Sequence, residues 1–373
     1  MQNKATPEPS SGGFRLVMAG GGTGGHLFPA IAIAQAFRLR HPGNRVLFVN
    51  AGRSLETRVL SELGWEQKAI SIEGIKGRGL WRQFAAVSKV PWAIWQAGGI
   101  LRAFQADLVF GVGGYSAGPV VAAAAMRGLP TALHEQNRVP GVTNRLLGRM
   151  VDQIYLTFEE SRELFNPEKV TVSGNPVRDE IVALALEPVA ANHGDSFTVL
   201  VVGGSQGAQA INTAVVEALP DLKAMRHLRF VHQTGTADEQ AVRKAYEDNG
   251  IQAVAKSFYS DMATQYQAAD MIICRAGATT VAEITAIGKA AIFVPFPFAT
   301  DDHQTLNAQA LVDFGAAEMI RQEELEGGAL ADLIKGYMEN RVLLRDMAAK
   351  AKVLGRPKAA LTVVDGLYRM LEQ

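Results

Sequence analysis

Short, almost unbroken apolar runs recur along the chain, each followed by a turn and then by a longer stretch of helical composition. Runs that do not alternate with polar residues suit strands buried on both faces, as in a parallel sheet. In the first half this pattern predicts strands at Arg15 to Ala19, Arg45 to Val49, Leu108 to Gly111, Thr131 to His134, Asp152 to Leu156 and Val170 to Val172. Helices are expected between them, over Pro29 to Arg40, Ser54 to Leu63, Gly118 to Arg127 and Thr143 to Arg149. In the second half strands are expected at Phe197 to Val202, Arg229 to Gln233, Ile251 to Ala255, Met271 to Cys274 and Ala291 to Val294. Alternation of this kind predicts an α/β protein of two doubly wound, Rossmann-like parallel-sheet domains facing a cleft. Gly174-Asn175-Pro176 breaks the pattern and Glu187 to Asp195 is loop-like, which divides the chain into a polar tail (1–13), a first domain (14–174), a linker (175–195) and a second domain (196–357).

Composition narrows the partners. Lys plus Arg and Asp plus Glu both number 37, so no global field draws the chain to nucleic acid, and attraction to an anionic surface has to be local. The one cysteine, Cys274, sits in the apolar run Met271 to Cys274; it cannot form an internal disulfide, and it reads as core packing. The tail lacks the apolar segment of a signal peptide, and no stretch approaches the ~20 apolar residues of a spanning helix. A soluble protein, or one bound to a membrane face, is expected.

Glycine-rich turns follow three of the strands. They are Gly20-Gly21-Gly22-Thr23-Gly24-Gly25-His26, then Gly111-Val112-Gly113-Gly114-Tyr115-Ser116-Ala117-Gly118-Pro119, then Gly203-Gly204-Ser205-Gln206-Gly207. Where a strand turns tightly into a helix, glycine lets a phosphate approach bare backbone, and the helix end offers N–H groups and a positive dipole. Two such turns on one sheet can hold two phosphates or a diphosphate; tight helix-on-strand packing is the bland alternative. Gly20-x-Gly22-x-x-Gly25 matches a dinucleotide fingerprint, but the run Val46 to Arg53 lacks the carboxylate that would bind a ribose. Neither the first nor the last turn ends as a Walker loop, no Asp-x-Asp occurs, and no zinc pattern is present. No metal is expected.

Several side chains beside these turns can carry chemistry. His26 falls in the first turn of a helix, whose positive end disfavours imidazolium, so the ring suits a general base; the alternative is a histidine that only hydrogen-bonds the glycine loop. His134-Glu135-Gln136-Asn137 leaves a strand end, and its imidazole, acid and amide can bind sugar hydroxyls or a phosphate, tune His26, or merely hold a turn. Cys274-Arg275-Ala276-Gly277-Ala278-Thr279-Thr280-Val281-Ala282-Glu283 is again strand, glycine turn, helix. Its small residues free a helix end for a diphosphate, with Thr279 and Thr280 as added donors. Glu283 can accept from ribose hydroxyls or close a capping box with Thr280. Asp301-Asp302-His303-Gln304 and Asn307 follow the last strand on the cleft side. All four tryptophans (Trp65, Trp81, Trp92, Trp95) share a window with Ile75, Leu80, Phe84 and Val87 and with Lys76, Arg78, Arg82, Lys89 and Arg102. This mixture suits an anionic membrane face, or the aromatics are core.

In order along the chain, GGGTGGH (20–26), GVGGYSAGP (111–119), HEQN (134–137), GNPVR (174–178), GGSQGA (203–208) and CRAGATTVAE (274–283) resemble the MurG family of inverting glycosyltransferases, family 28. The resemblance implies a GT-B fold and a C-terminal helix (358–373) that returns to the first domain. It implies transfer of N-acetylglucosamine from UDP-N-acetylglucosamine to lipid I, giving lipid II in peptidoglycan synthesis, with no cofactor and no metal. The enzyme would be peripheral on the cytoplasmic side of the bacterial plasma (inner) membrane, and other cell-wall and division proteins are conceivable partners. The implied donor residues are Thr23, Gly24, Gly25, Asn137, Arg178, Ser205, Gln206, Tyr259, Ala278, Thr279, Thr280, Val281, Ala282, Glu283 and Gln304. Arg178 and Ser205 would meet the diphosphate, the backbone of Tyr259 the uracil, Glu283 the ribose and Gln304 the sugar. The acceptor diphosphate would lie on Gly21, Gly22, Gly113, Gly114 and Tyr115, with His26, Glu135 and His134 as the catalytic set and Ile75, Leu80, Trp81 and Phe84 on the membrane. Another UDP-N-acetylglucosamine enzyme of this fold, such as an epimerase or a transferase with a different lipid acceptor, and a non-catalytic binding subunit are the competing readings.

Overall fold

The computed structural model describes residues 12–22, 24–72, 88–187, 196–204 and 207–372. The tail through residue 11, Thr23, Ile75, Lys76, Arg78, Leu80, Trp81, Arg82, Phe84, Val87, Ser205 and Gln206 lie outside the described residues. The chain forms two compact units: one from the chain through Gln136 with Pro140–Pro176 and the segment from Lys358, the other from Asn137–Val139 with Val177–Pro357. A helix, Asp179–Leu186, lies within the stretch expected to be a linker. It buries Ile181 and Ala185 in the second unit, because its apolar positions follow a helical spacing that the flanking proline and polar residues obscure.

The first unit holds a seven-stranded parallel sheet of β1 (Arg15–Ala19), β2 (Arg45–Asn50), β3 (Glu66–Ala69), β4 (Leu108–Gly111), β5 (Thr131–Glu135), β6 (Gln153–Leu156) and β7 (Val170–Val172), in the order β3-β2-β1-β4-β5-β6-β7. The winding reverses between β1 and β4, where Ala19 pairs with Gly111. β3 was not foreseen from the pattern. It is an edge strand of mostly exposed residues (Glu-Gln-Lys-Ala), so no apolar run announces it.

Side chains alternate across this sheet. Val17 and Ala19 face the Val90–Phe104 and Ala117–Ala125 helices, and Leu16 and Met18 face Gly24–Arg40 and the C-terminal helix Ala359–Leu371. The Val90–Phe104 helix buries Ala93, Ala97, Leu101 and Phe104, a spacing that puts them on one stripe. Its Trp92 and Trp95 stay exposed and stack with centroids 4.7 Å apart. Trp65, by contrast, is core, edge-on to Phe48 and beneath the Arg38 guanidinium. The tryptophan window is therefore split between interior and surface.

In the second unit β8 (Phe197–Val202), β9 (Leu228–Gln233), β10 (Gln252–Lys256), β11 (Met271–Cys274), β12 (Ala290–Phe293) and β13 (Glu318–Met319) form a parallel sheet in the order β10-β9-β8-β11-β12-β13. Here the winding reverses between β8 and β11. Phe197, Val199 and Val201 pack against the Gln209–Leu222 and Gly327–Glu339 helices. Both sheets are the doubly wound kind expected from the alternation of runs. Among the described residues no helix is long and apolar enough to cross a membrane.

The C-terminal helix sets Val363, Val364 and Leu367 against Leu16, Met18, Phe110 and Tyr155. Its Gly366 lies against the Tyr155 hydroxyl, which is buried without a hydrogen-bond partner, and a Cβ there would collide with it. Gly366→Ala should therefore destabilise the first unit by about 1–3 kcal/mol through overpacking. Tyr155→Phe alone should cost little, because it removes an unpaired hydroxyl. In urea titrations the double variant is expected to recover most of the loss; additive losses would contradict this packing.

Candidate active site

Ligands on doubly wound sheets bind beyond the carboxyl ends of the strands where the winding reverses. In the first unit the strands at that point, β1 and β4, lead into the Gly20–Gly22 and Gly113–Gly114 turns. All five glycines have positive φ, from 81° at Gly114 to 138° at Gly21. The turns touch main chain to main chain: the Gly21 N–H donates to the Gly113 carbonyl at 3.3 Å, and a Cβ on Gly20 or Gly114 would strike the carbonyl of Gly113 or Gly21. A Cβ on Gly21 would strike the Glu56 carboxylate.

Glu56 is buried behind this turn. Its Oε2 accepts the Arg53 N–H at 3.2 Å, while Oε1 is buried with no partner. Arg53 donates to the Gly22 carbonyl at 3.2 Å and lies 6.0 Å above the Tyr115 ring, which is exposed. Glu56 and Arg53 were missed in the sequence. The available signal was a basic and an acidic residue opening the helix after β2, where no ribose carboxylate was found.

His26 lies in the first turn of the Gly24–Arg40 helix, with Cε1 3.1 Å from the position a Gly113 Cβ would take. Its Nδ1 is 3.0 Å from Gln136 Oε1, and Gln136 Nε2 donates to the Val112 carbonyl at 2.9 Å. His134 and Glu135 are brought near but not onto the surface; both are buried. His134 Nε2 donates to the Gly174 carbonyl at 3.1 Å, and Nδ1 is buried without a partner. Burial is the main cause that lowers the His134 pKa to about 4, against the bond to Gly174. Glu135 Oε2 accepts from Gly141 N–H at 3.1 Å and from Asn144 Nδ2 at 2.9 Å. These bonds tie both residues into the strand end. Both lie in β5, one residue longer than the pattern predicts and buried on both faces.

In the second unit the corresponding turns follow β8 and β11. Gln233 braces the first: its Nε2 donates to the Gly204 carbonyl at 3.0 Å and its Oε1 accepts the Tyr259 N–H at 3.1 Å. Tyr259 is buried and its hydroxyl donates to Val254 O at 2.8 Å. The Ala278–Ile287 helix starts at an extended Gly277 with no side-chain cap. Ala278 and Val281 are buried, and Thr279, Thr280 and Ala282 are half-buried in its opening turns.

Glu283 does not close a capping box with Thr280. Its Oε1 accepts from Arg178 Nε at 2.9 Å and its Oε2 from the Tyr266 hydroxyl at 3.2 Å. Burial pushes the Glu283 carboxyl up, and Arg178 and Tyr266 oppose that rise. Arg178 and Glu283, assigned separately to diphosphate and ribose, are thus one ion pair. Distance in the chain hides such pairing from sequence. Arg275, also missed, donates to the carbonyls of Val294 and Pro295 at 3.0 Å each and to Gln322 Oε1 at 2.7 Å. Gln304 Oε1 accepts the Phe296 N–H at 3.0 Å, which fixes the same loop. Asn307 Nδ2 donates to Asn137 Oδ1 at 3.2 Å and to Ala276 O at 3.3 Å, which places Asn137 beside this glycine turn.

The chain also matches known proteins along nearly its whole length. Residues 16–156 match the glycosyltransferase family 28 N-terminal domain and residues 198–363 its C-terminal domain. The chain belongs to glycosyltransferase family 28. It is 49% identical to a UDP-N-acetylglucosamine--N-acetylmuramyl-(pentapeptide) pyrophosphoryl-undecaprenol N-acetylglucosamine transferase of Syntrophus aciditrophicus, over 96% of this chain and 99% of the relative. A protein of the same description from Geobacter sp. is 46% identical over 94% of each. The crystal structure of Acinetobacter baumannii MurG superposes with a TM-score of 0.78 at 35% identity, covering 95% of this chain and 99% of that one.

For this glycosyltransferase two outcomes follow from the site. Gly114→Ala places a Cβ against the Gly21 carbonyl at a φ of 81°, so turnover should fall at least about tenfold, with loss of stability of about 1–3 kcal/mol. Steady-state rates beside thermal melts check this. The second concerns acid. At neutral pH the His134 ring is uncharged folded and unfolded; below 6.5 the unfolded chain takes up a proton that the folded ring refuses until about 4. Its contribution is full above 6.5 and declines between these values, by about 3 kcal/mol in total. Urea melts at neutral and at mildly acid pH should show this decline, and His134→Gln should reduce it.

Proposed function

We propose that this chain transfers N-acetylglucosamine from UDP-N-acetylglucosamine to a muramoyl-pentapeptide pyrophosphoryl-undecaprenol acceptor, with inversion at the anomeric carbon. The observation that carries the reading is the pair of apposed glycine turns at β1 and β4 with His26 at their edge, in a chain half identical to transferases of that description.

The first unit takes the acceptor. Main-chain groups of Gly21, Gly22, Gly113 and Gly114 receive its diphosphate, with Tyr115 alongside. The second unit takes the donor. The uncapped start of Ala278–Ile287 and Arg178 receive the UDP diphosphate, the Arg178–Glu283 pair borders the ribose, and Gln304 and Asn137 stand near the sugar.

In the reaction the acceptor hydroxyl oxygen bonds to the anomeric carbon from the face opposite UDP. The bond from that carbon to the UDP oxygen breaks, and its electron pair leaves with UDP. His26 accepts the hydroxyl proton. Negative charge growing on the departing diphosphate is met by the helix end and Arg178. Trp92 and Trp95, exposed on the Val90–Phe104 helix, serve as membrane contacts on the cytoplasmic face, where the lipid-linked acceptor is held.

The test is transfer of radiolabelled N-acetylglucosamine to a short-chain acceptor analogue with a chelator present. Transfer should persist, and His26→Ala should lower it by at least about a hundredfold while UDP binding is kept. Turnover of a folded His26→Ala protein near the wild-type rate overturns the base assignment. Epimerised donor without any acceptor product overturns the reaction.

A further inference from the structure

The Gln136 side chain links the β4 strand end to the His26 ring. The Val112 N–H donates to the Ala19 carbonyl at 2.9 Å, so the peptide after β4 is tied to β1. The Val112 carbonyl can only accept, and it faces Gln136 at 2.9 Å; the Gln136 atom there must be the NH2 group. The amide oxygen is thereby turned toward His26 Nδ1, 3.0 Å away. An amide oxygen only accepts, so Nδ1 must carry the proton, and in the neutral ring the lone pair is on Nε2.

We propose that Gln136 is a positioning residue that fixes the tautomer and plane of His26, so that the proton of the attacking hydroxyl is taken at Nε2. The proposal rests on the reading of His26 as the base. A neutral amide suits the task. When His26 becomes imidazolium, its Nδ1–H keeps the same acceptor, an amide oxygen without formal charge. The Oε2 atom of the adjacent Glu135 accepts from Gly141 and Asn144. The device resembles an orienting acid behind a catalytic histidine, with the charge removed.

The experiment uses the full chain with selectively 15N-labelled histidine, the His26 signals being identified by their loss in His26→Ala. At neutral pH the wild-type spectrum should show Nδ1 protonated and Nε2 bare. Gln136→Met keeps the side-chain length and removes both polar atoms. It should shift His26 toward the opposite tautomer and lower kcat by roughly tenfold to a hundredfold, with KM for the donor nearly unchanged. A bare Nδ1 in the wild type overturns the proposal, as does a Gln136→Met spectrum identical to wild type. If Gln136→Met fails to fold, the wild-type spectrum alone decides. Failure of the base reading shows separately, as turnover that survives His26→Ala while the tautomer is as described.

Discussion

Everything at the reacting end of the first unit depends on two turns meeting with no side chain between them. The contact of Gly20 and Gly21 with Gly113 and Gly114 sets main chain against main chain, and each carbonyl occupies the place where a Cβ would be. Such closeness leaves no room for a methyl group between the turns, and the Gly20 and Gly21 N–H groups are taken up by the Val49 and Gly113 carbonyls. The same contact locates His26, because the ring packs against Gly113 and its partner Gln136 is tied to Val112 between the turns.

The second unit reaches a similar end with different supports. Its turns lie on the strands flanking its own winding reversal, but they are braced by side chains: Gln233 under one turn, Arg275 fastening the loop after β12, Asn307 joining Asn137 to Ala276. The Arg178–Glu283 pair adds a buried charge couple beside the helix start. Breaking one member of such a pair leaves the other charge uncompensated, so the two residues are energetically a unit.

Much of this was legible because apolar runs and glycine turns are local signals. Buried parallel strands announce themselves as unbroken runs, and strands such as Met271–Cys274 and Val170–Val172 fall where the pattern puts them. Edge strands with few buried side chains, Glu66–Ala69 and Glu318–Met319, carry no such signal. In the Val90–Phe104 helix the exposed Trp92 and Trp95 put apolar residues on the outer face and blur its pattern. The pattern puts His26 and the glycine turns at strand ends, where the structure has them, whereas the bonds that orient them are not local signals. Which oxygen of Glu283 meets Arg178, or which way the Gln136 amide turns, depends on neighbours distant along the chain.

The C-terminal helix has a bearing on how the molecule is made. Its Val363, Val364 and Leu367 cover a face of the first sheet that Leu16 and Met18 begin, although the whole second sheet is translated in between. On the ribosome that face must wait, half dressed, until Ala359–Leu371 emerges. Domains usually mature in the order of synthesis. Here the opening domain is the one that finishes last, and a messenger cut short before the final helix would release a chain whose second domain is whole and whose first is not.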